Sequence, residues 1–292
     1  MHHDLSGVIA IDKPGGVTSR RVVDGVARAL ATRAVGHAGT LDPLATGVVV
    51  VCVGHATKLV DFVHGLRKHY TAMFLLGRSS PSDDLETPVT EERAPLRPTR
   101  DEIENALRAL RGDILQRPCD YSAVHVQGRR AYKLARQGRD LVLAAKPVRI
   151  DRLEITSYAW PRLGVAIECS SGTFVRAIGR DLAAALGTAA VMESLQRTAV
   201  GPFVAPSALP LAGVTPAATR AALLPPLAAV GHLPRADLVG ERLDHAVRGG
   251  LLDCDLPDAA VAACDDTGEL VGILRRHESG RYRLRPNFRG LG

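Results

Sequence analysis

Aromatic residues are scarce in this 292-residue chain, at 4% with a single tryptophan, which leaves little material for the ring-lined grooves that bind saccharides. Apolar runs are short. None approaches the roughly 18 residues needed to cross a bilayer. The opening Met1-His2-His3-Asp4 has neither the basic cluster nor the apolar segment of a secretory signal. Cysteines are few and odd in number. Cys52, Cys119, Cys169, Cys254 and Cys264 are widely spread with no C-x-x-C pair, which argues against a disulfide scaffold or a zinc ribbon and for a reduced, cytoplasmic protein. No P-loop, no G-x-G-x-x-G and no Cys/His ligand cluster occurs, which is consistent with a protein that uses neither metal nor cofactor. No internal repeat is found.

What is present is ordinary globular composition, 46% hydrophobic and 23% charged. Lys and Arg number 37 against 31 Asp and Glu, a formal charge of +6 that permits a nucleic-acid partner without demanding one. Residues 7–12 read as a short buried strand, and Thr18 or Ser19 caps a helix carrying Val22, Val23, Val26 and Leu30 at helical spacing. Residues 33–46 have no period and read as a shaped loop. A β-branched strand follows at Val48–Val53, then a helical stretch from His55 to His64 and a strand at 67–77. A helix follows Pro98-Thr99, with strands near 148–158 and 163–170 and a helix from about Thr173 to Leu186. This interleaving predicts an α+β fold with a mixed, mainly antiparallel sheet flanked by helices. Seven of the 18 prolines fall between 202 and 234, which reads as a semi-rigid connector. Leu270–Leu274 and Tyr282–Leu284 predict strands in a small β-rich C-terminal module.

The most informative string is Gly36-His37-Ala38-Gly39-Thr40-Leu41-Asp42-Pro43-Leu44-Ala45-Thr46-Gly47. Pro43 biases Asp42 toward an extended backbone, and Gly39 and Gly47 permit sharp turns and close approach of another chain. The loop runs into a buried strand, so the carboxylate stands on a stiff support. An isolated Asp-Pro would only start a turn; the twelve-residue string is far more specific. It closely resembles the signature loop of the TruB-type tRNA pseudouridine synthases. Further segments resemble that family in its order: Asp12-Lys13-Pro14-Gly15-Gly16-Val17-Thr18-Ser19, Lys68-His69-Tyr70, Tyr121-Ser122-Ala123, Cys169-Ser170-Ser171-Gly172-Thr173-Phe174-Val175-Arg176, and Leu195-Gln196-Arg197-Thr198. The match covers residues 7–203. Phe174 stands where the family usually has tyrosine, His125 where lysine is common, and the turn Ser79–Thr87 lacks the usual Thr-rich, glycine-ended form.

The resemblance implies isomerisation of uridine to pseudouridine at position 55 in the T-arm loop of tRNAs, with the base flipped out and Asp42 as nucleophile. A carboxylate acts either covalently or by taking a proton, and attack on the sugar, attack on the base and a glycal route all stay open. Arg176 would orient Asp42 and compensate it on desolvation. Tyr70 offers a ring face for the flipped base and a hydroxyl for proton transfer at C5. Lys13, His37, Asp84 and Phe174 join the implied RNA-contacting set. His37 would stack on or hydrogen-bond extruded nucleotides, and Asp84 would position Arg176 or a phosphate-side water. Independently of the family, Arg129, Tyr132, Lys133 and Arg136 at i, i+3, i+4 and i+7 predict a basic helix face with an interleaved aromatic, suited to phosphates and unpaired bases. Arg281, Arg283 and Arg285 alternate with Tyr282 and Leu284, which on a strand places all three on one side.

The expected organisation is a catalytic domain over 1–205 with an RNA-clamping insertion at 119–147, a Pro/Ala-rich connector at 206–231, and a small RNA-contact domain of the PUA type at 232–292. The expected partner is tRNA through its T-arm stem-loop, with no membrane and no guide RNA, and the protein is expected to be a cytoplasmic monomer. Two other readings compete: a tRNA-binding folding helper without catalysis, and a glycosidase pairing Asp42 with Asp83, Asp84 or Glu86.

Overall fold

A computed structural model describes residues 5–126, 128–138, 141–257 and 259–289; the opening Met1–Asp4 lies outside them. The chain begins with β1 (Gly7–Lys13), α1 (Ser19–Ala29), β2 (Val35–His37), β3 (Thr46–Val53), α2 (Val60–Gly65) and β4 (Lys68–Leu76). Next come the short hairpin β5 (Arg78–Ser79) and β6 (Thr90–Glu91), α3 (Arg100–Ala109), β7 (Gly112–Gln116), β8 (His125–Val126), β9 (Arg129–Arg130) and α4 (Ala131–Ala135). The sheet is completed by β10 (Lys146–Ala159), β11 (Arg162–Cys169), α5 (Val175–Ala185), β12 (Ala190–Val200), β13 (Phe203–Val204) and β14 (Leu209–Pro210). The rest is α6 (Pro216–Ala221), β15 (Arg235–Asp237), α7 (Gly240–Val247), β16 (Val261–Cys264), β17 (Leu270–Arg276) and β18 (Tyr282–Asn287).

The principal sheet has the order β14-β1-β3-β12-β4-β11-β10-β7, with β2 added to β3 and β13 to β12. Only the β1–β14 and β12–β3 pairings in it are parallel, so the sheet is mixed and mainly antiparallel. Local chemistry explains the elements. In β3 every residue from Gly47 to Val53 is buried, the pattern of a central strand covered on both faces. Thr18 caps α1 by accepting from the Arg21 N–H, and Val22, Val23 and Val26 turn inward; each buried valine contributes about 1.5–3 kcal/mol. A reciprocal capping box between Thr99 and Glu102 starts α3.

The structure departs from the sequence expectation in four places. The loop at 33–46 contains β2, antiparallel to β3 from Val35↔Val53 to His37↔Val51. The eleven-residue β12 lies at the centre of the sheet, although its period-2 pattern is broken by register shifts at Met192/Ser194 and Arg197/Ala199. The basic stretch 129–136 is not one helix face: Arg129 belongs to the β8–β9 hairpin and only Ala131–Ala135 is helical. The 206–231 segment, expected to be a connector, packs against the sheet. Leu209 and Pro210 pair with Ile11 and Asp12, Val8 and Leu224 exchange hydrogen bonds of 2.9 Å, and Ala229 and Val230 are fully buried.

The C-terminal strands form a second sheet, β15-β16-β17-β18. Arg283 and Arg285 are exposed between buried Tyr282 and Leu284, as the alternation predicted, and Arg281 is exposed beside them. Arg289 pairs with Asp265 and Glu269, and the Arg275 guanidinium lies 5.2 Å from the Phe62 ring centre.

Candidate active site

A cavity of about 440 Å³ opens where the loop after β2, strands β4 and β12, the start of α5 and residues 122–124 converge. Asp42 and Arg176 lie on its wall with Tyr70, Phe174, Lys68, Arg197, His64 and Ser171. Backbone anchors on both sides hold Asp42. Ser19 Oγ accepts from the Leu41 N–H at 2.8 Å and donates to the Leu41 carbonyl at 3.1 Å. The Pro43 carbonyl accepts from Gly16 N–H at 2.8 Å and from Lys13 Nζ at 3.2 Å. Arg197 donates to the carbonyls of Gly39 at 3.1 Å and Val48 at 2.7 Å. The carboxylate therefore projects from a loop tied to β1, α1, β3 and β12, the kind of stiff support a positioned reactive group needs.

Arg176, in the first turn of α5, is only 5% exposed and sits between two acids. Nη2 lies 3.0 Å from Asp42 Oδ2, and Nη1 lies 3.4 Å from Asp84 Oδ2. Nη1 also donates to the Ser82 carbonyl at 2.8 Å and Nη2 to the Tyr121 carbonyl at 2.9 Å. Gln116 clamps the entry to α5 by accepting from the Phe174 N–H at 2.8 Å and donating to its carbonyl at 3.2 Å. Burial pushes the Asp42 carboxyl above its ordinary range; Arg176 opposes that, and Asp84 and Glu86 add to it. Tyr70 sits mid-sheet, between Ile167 of β11 and Arg197 of β12. Burial raises its phenol, against the pull of Arg197, so at neutral pH it is a neutral hydroxyl beside the cavity.

The structure thus brings Asp42, Tyr70, Arg176 and Phe174 to one cavity, and assigns other roles to several residues read as RNA contacts. Lys13 is fully buried and donates to the carbonyls of Pro14, Val17 and Pro43; it fastens the Asp42 loop rather than facing RNA. Asp84, 2% exposed, accepts from the Glu86 N–H at 2.9 Å and pairs with Arg176, the contact that its positioning role requires. His37 is half-buried on β2, outside the cavity wall, and burial lowers its imidazole pKa. Arg129 and Lys133 are exposed, whereas Arg136 pairs with Glu86 and lies 5.6 Å from the Tyr132 ring centre. The insertion also supplies part of the wall, because Ser122, Ala123 and Val124 line the cavity.

Sequence reasoning quoted Lys68 and Arg197 within motifs but gave them no role. Gln116, Ser19 and the 2.8 Å contact between Ser171 Oγ and His64 Nε2 were missed. The signal for Lys68 and Arg197 was their place in Lys68-His69-Tyr70 and Leu195-Gln196-Arg197-Thr198. Ser19 lies in a quoted motif, but its contact with Leu41 is 22 residues away, and Gln116 and His64 carry no local signal, since their partners are distant in sequence. Among the described residues no group of three or more His, Cys, Asp or Glu side chains could hold a metal ion, and no helix is long and apolar enough to cross a membrane.

The model of the TruB family pseudouridylate synthase N-terminal domain matches residues 27–175. The tRNA pseudouridine synthase B of Mycobacterium bovis is 42% identical, over 96% of this chain and 96% of its own. The tRNA pseudouridine synthase B of an Arthrobacter species is 39% identical, over 95% and 94%. Among solved structures, a chain of a Cbf5-Nop10-Gar1 complex superposes with a TM-score of 0.74 at 22% identity, covering 97% of this chain and 85% of that one. A chain of an H/ACA RNP bound to a substrate RNA containing 2'-deoxyuridine gives 0.73 at 22%, covering 97% and 84%; at that identity the two share the fold. With the family model spanning half of the sequence and relatives aligned along nearly all of it, the chain belongs to the TruB family of pseudouridylate synthases.

Proposed function

We propose that this protein isomerises uridine to pseudouridine at position 55 in the T-arm loop of tRNA, and that Asp42 is the nucleophile. The observation that carries the reading is the Asp42–Arg176 pair, 3.0 Å apart on the wall of a cavity that Tyr70 also lines. Pseudouridine formation breaks the C1′–N1 bond, turns the uracil and joins C5 to C1′. Attack at C1′, attack on the base and removal of a sugar proton all require an ionised carboxylate, and Arg176 keeps that charge oriented as substrate displaces water. The Tyr70 ring gives the flipped base a stacking face, and its hydroxyl is placed to pass on the C5 proton. Phe174 offers a second apolar ring on the cavity wall.

The reading extends to the RNA. Residues 1–205 form the catalytic part, and the 119–147 insertion closes over the T-arm loop through exposed Arg129 and Lys133 and the Tyr132 ring. The packed 206–231 segment joins it to the small domain at 232–292, where Arg281, Arg283 and Arg285 give an accessory phosphate surface. The protein works as a cytoplasmic monomer without guide RNA. The support for independence from a guide RNA is its 42% identity to a tRNA pseudouridine synthase B of matching length, against 22% to the H/ACA RNP chain.

The test is tritium release from 5-labelled uridine in a T-arm stem-loop, with binding measured in parallel. Asp42→Asn abolishes release and keeps binding; full release by that variant overturns the assignment. Binding by the wild type without product supports the folding-helper reading instead.

A further inference from the structure

Among the described residues, two cations on the cavity wall have no carboxylate partner. Lys68 is 4% exposed and Arg197 is 1% exposed. The Lys68 ammonium donates to the carbonyls of His64 and Leu66, and Arg197 donates to those of Val48, Gly39 and Thr40. Among the described residues neither has an acid within ion-pair distance, whereas Arg176 has two. Buried Lys13 is likewise held on carbonyls alone. Four buried cations thus surround the site of two acids, Asp42 and Asp84. Uncompensated buried charge is costly, and an excess of one sign on a cavity wall prepares it for an occupant of the other.

The position of the pair says which part of the nucleotide brings that charge. Lys68 precedes Tyr70 by two residues on β4, so their side chains share a sheet face. Arg197 is the cross-strand partner of Tyr70. Both cations therefore flank the ring on which the base would stack, and their depth suits the base rather than a phosphate kept at the mouth by the RNA backbone.

We propose that Lys68 and Arg197 form an electrostatic seat for the uracil while it is detached from its ribose. The inference rests on the activity proposed above. When C1′–N1 breaks, its electron pair leaves with the base, and C1′ bonds to a carboxylate oxygen of Asp42. The negative charge on uracil spreads over N1, O2 and O4. It is discharged when C5 bonds to C1′ and displaces Asp42, and the C5 proton then leaves as N1 gains one. Between those events the ring must turn. A compact ammonium suits this, because its attraction persists as different ring atoms face it. Burial and the neighbouring Arg197 hold the Lys68 ammonium down to about 8, so it is still charged at neutral pH.

The test compares single-turnover rates on T-arm stem-loops carrying uridine or 5-fluorouridine, whose ring bears the negative charge more easily. Loss of the starting nucleoside is followed after nuclease digestion. Lys68→Gln slows uridine by about 10²-fold, the scale of losing one preorganised electrostatic group, and slows 5-fluorouridine by about tenfold or less. Lys68→Arg keeps most of the uridine rate. Equal losses on the two substrates, or a Lys68→Arg variant as slow as Lys68→Gln, overturn the proposal. If Lys68→Gln does not fold by circular dichroism, Lys68→Met carries the same comparison. A wild-type protein inert on both stem-loops would instead refute the proposed activity.

Discussion

Replacing Arg176 by methionine separates what the guanidinium does for stability from what it does for chemistry. Asp42, with its side chain 39% exposed, retains water when the arginine goes; Asp84, at 2%, does not. Its carboxylate would keep only the Ser82 hydroxyl and the Glu86 N–H. Breaking a buried pair from one side costs about 3–5 kcal/mol. Each kcal/mol lowers Tm by about 2–4 °C in a protein near this size, so the melting point should fall by roughly 6–20 °C. Adding Asp84→Asn removes the stranded charge while an amide oxygen still accepts from Glu86, and should restore about 1–3 kcal/mol. Turnover should not return, because Asp42 still lacks its orienting partner, and tritium release should stay about 10² below wild type in both variants. Thermal and urea melts followed by the single Trp160, beside the release assay, measure both quantities. A double variant no more stable than Arg176→Met, or one that regains activity, refutes the reasoning.

Because burial, Asp84 and Glu86 together outweigh Arg176 and raise the Asp42 carboxyl, the active ionised form is lost earlier as pH falls. The acid limb of kcat/KM should lie above the ordinary carboxylate value of about 4, and Glu86→Gln should move it to lower pH; an upward move would contradict the assignment. Gly47→Ala combines a φ of +99° with a Cβ placed 2.2 Å from the Arg197 carbonyl. It should destabilise by more than about 3 kcal/mol in a denaturant melt, and a loss under 1 kcal/mol would show that β12 yields there. Lys133→Ala should weaken RNA binding and reduce the salt slope by about one counterion; Arg136→Ala, whose guanidinium already pairs with Glu86, should change the slope less. Equal slopes for wild type and Lys133→Ala would remove Lys133 from the interface.

The sequence made the outer frame legible where local chemistry is sufficient. The caps at Thr18 and Thr99, the valine run of β3 and the alternation in β18 each report their element directly. It failed at β12, where two register shifts and the polar Glu193, Gln196 and Arg197 conceal a central strand. It also failed at 129–136, because helical spacing is satisfied by residues that the β8–β9 hairpin and a single turn of helix divide. Asp42, Tyr70 and Arg176 were found through motifs; Lys13 and Asp84 were found in the RNA-contacting set, Asp84 with the positioning of Arg176 as one of its two expected roles. A string of residues does not show that a lysine's charge is spent on three carbonyls. The proline-rich 206–231 segment misled for a related reason: its prolines keep β14 and α6 short but do not prevent packing along β1.

Strand β3 divides its side chains between two cores. Val49, Val51 and Val53 join Ile9, Phe74 and Ile178. Val48, Val50 and Cys52 join Phe203 and Val230, and also Ala262, Cys264 and Ile273 from the C-terminal sheet. During synthesis the second face first meets Val8, Ala56, Leu59 and Val63, and the rest of its cover, Ala262, Cys264 and Ile273, comes from segments translated last. Part of the back of the sheet therefore stays apolar and open until the chain is nearly finished, a setting prone to misassembly. The C-terminal sheet then closes over β3 as a late lid.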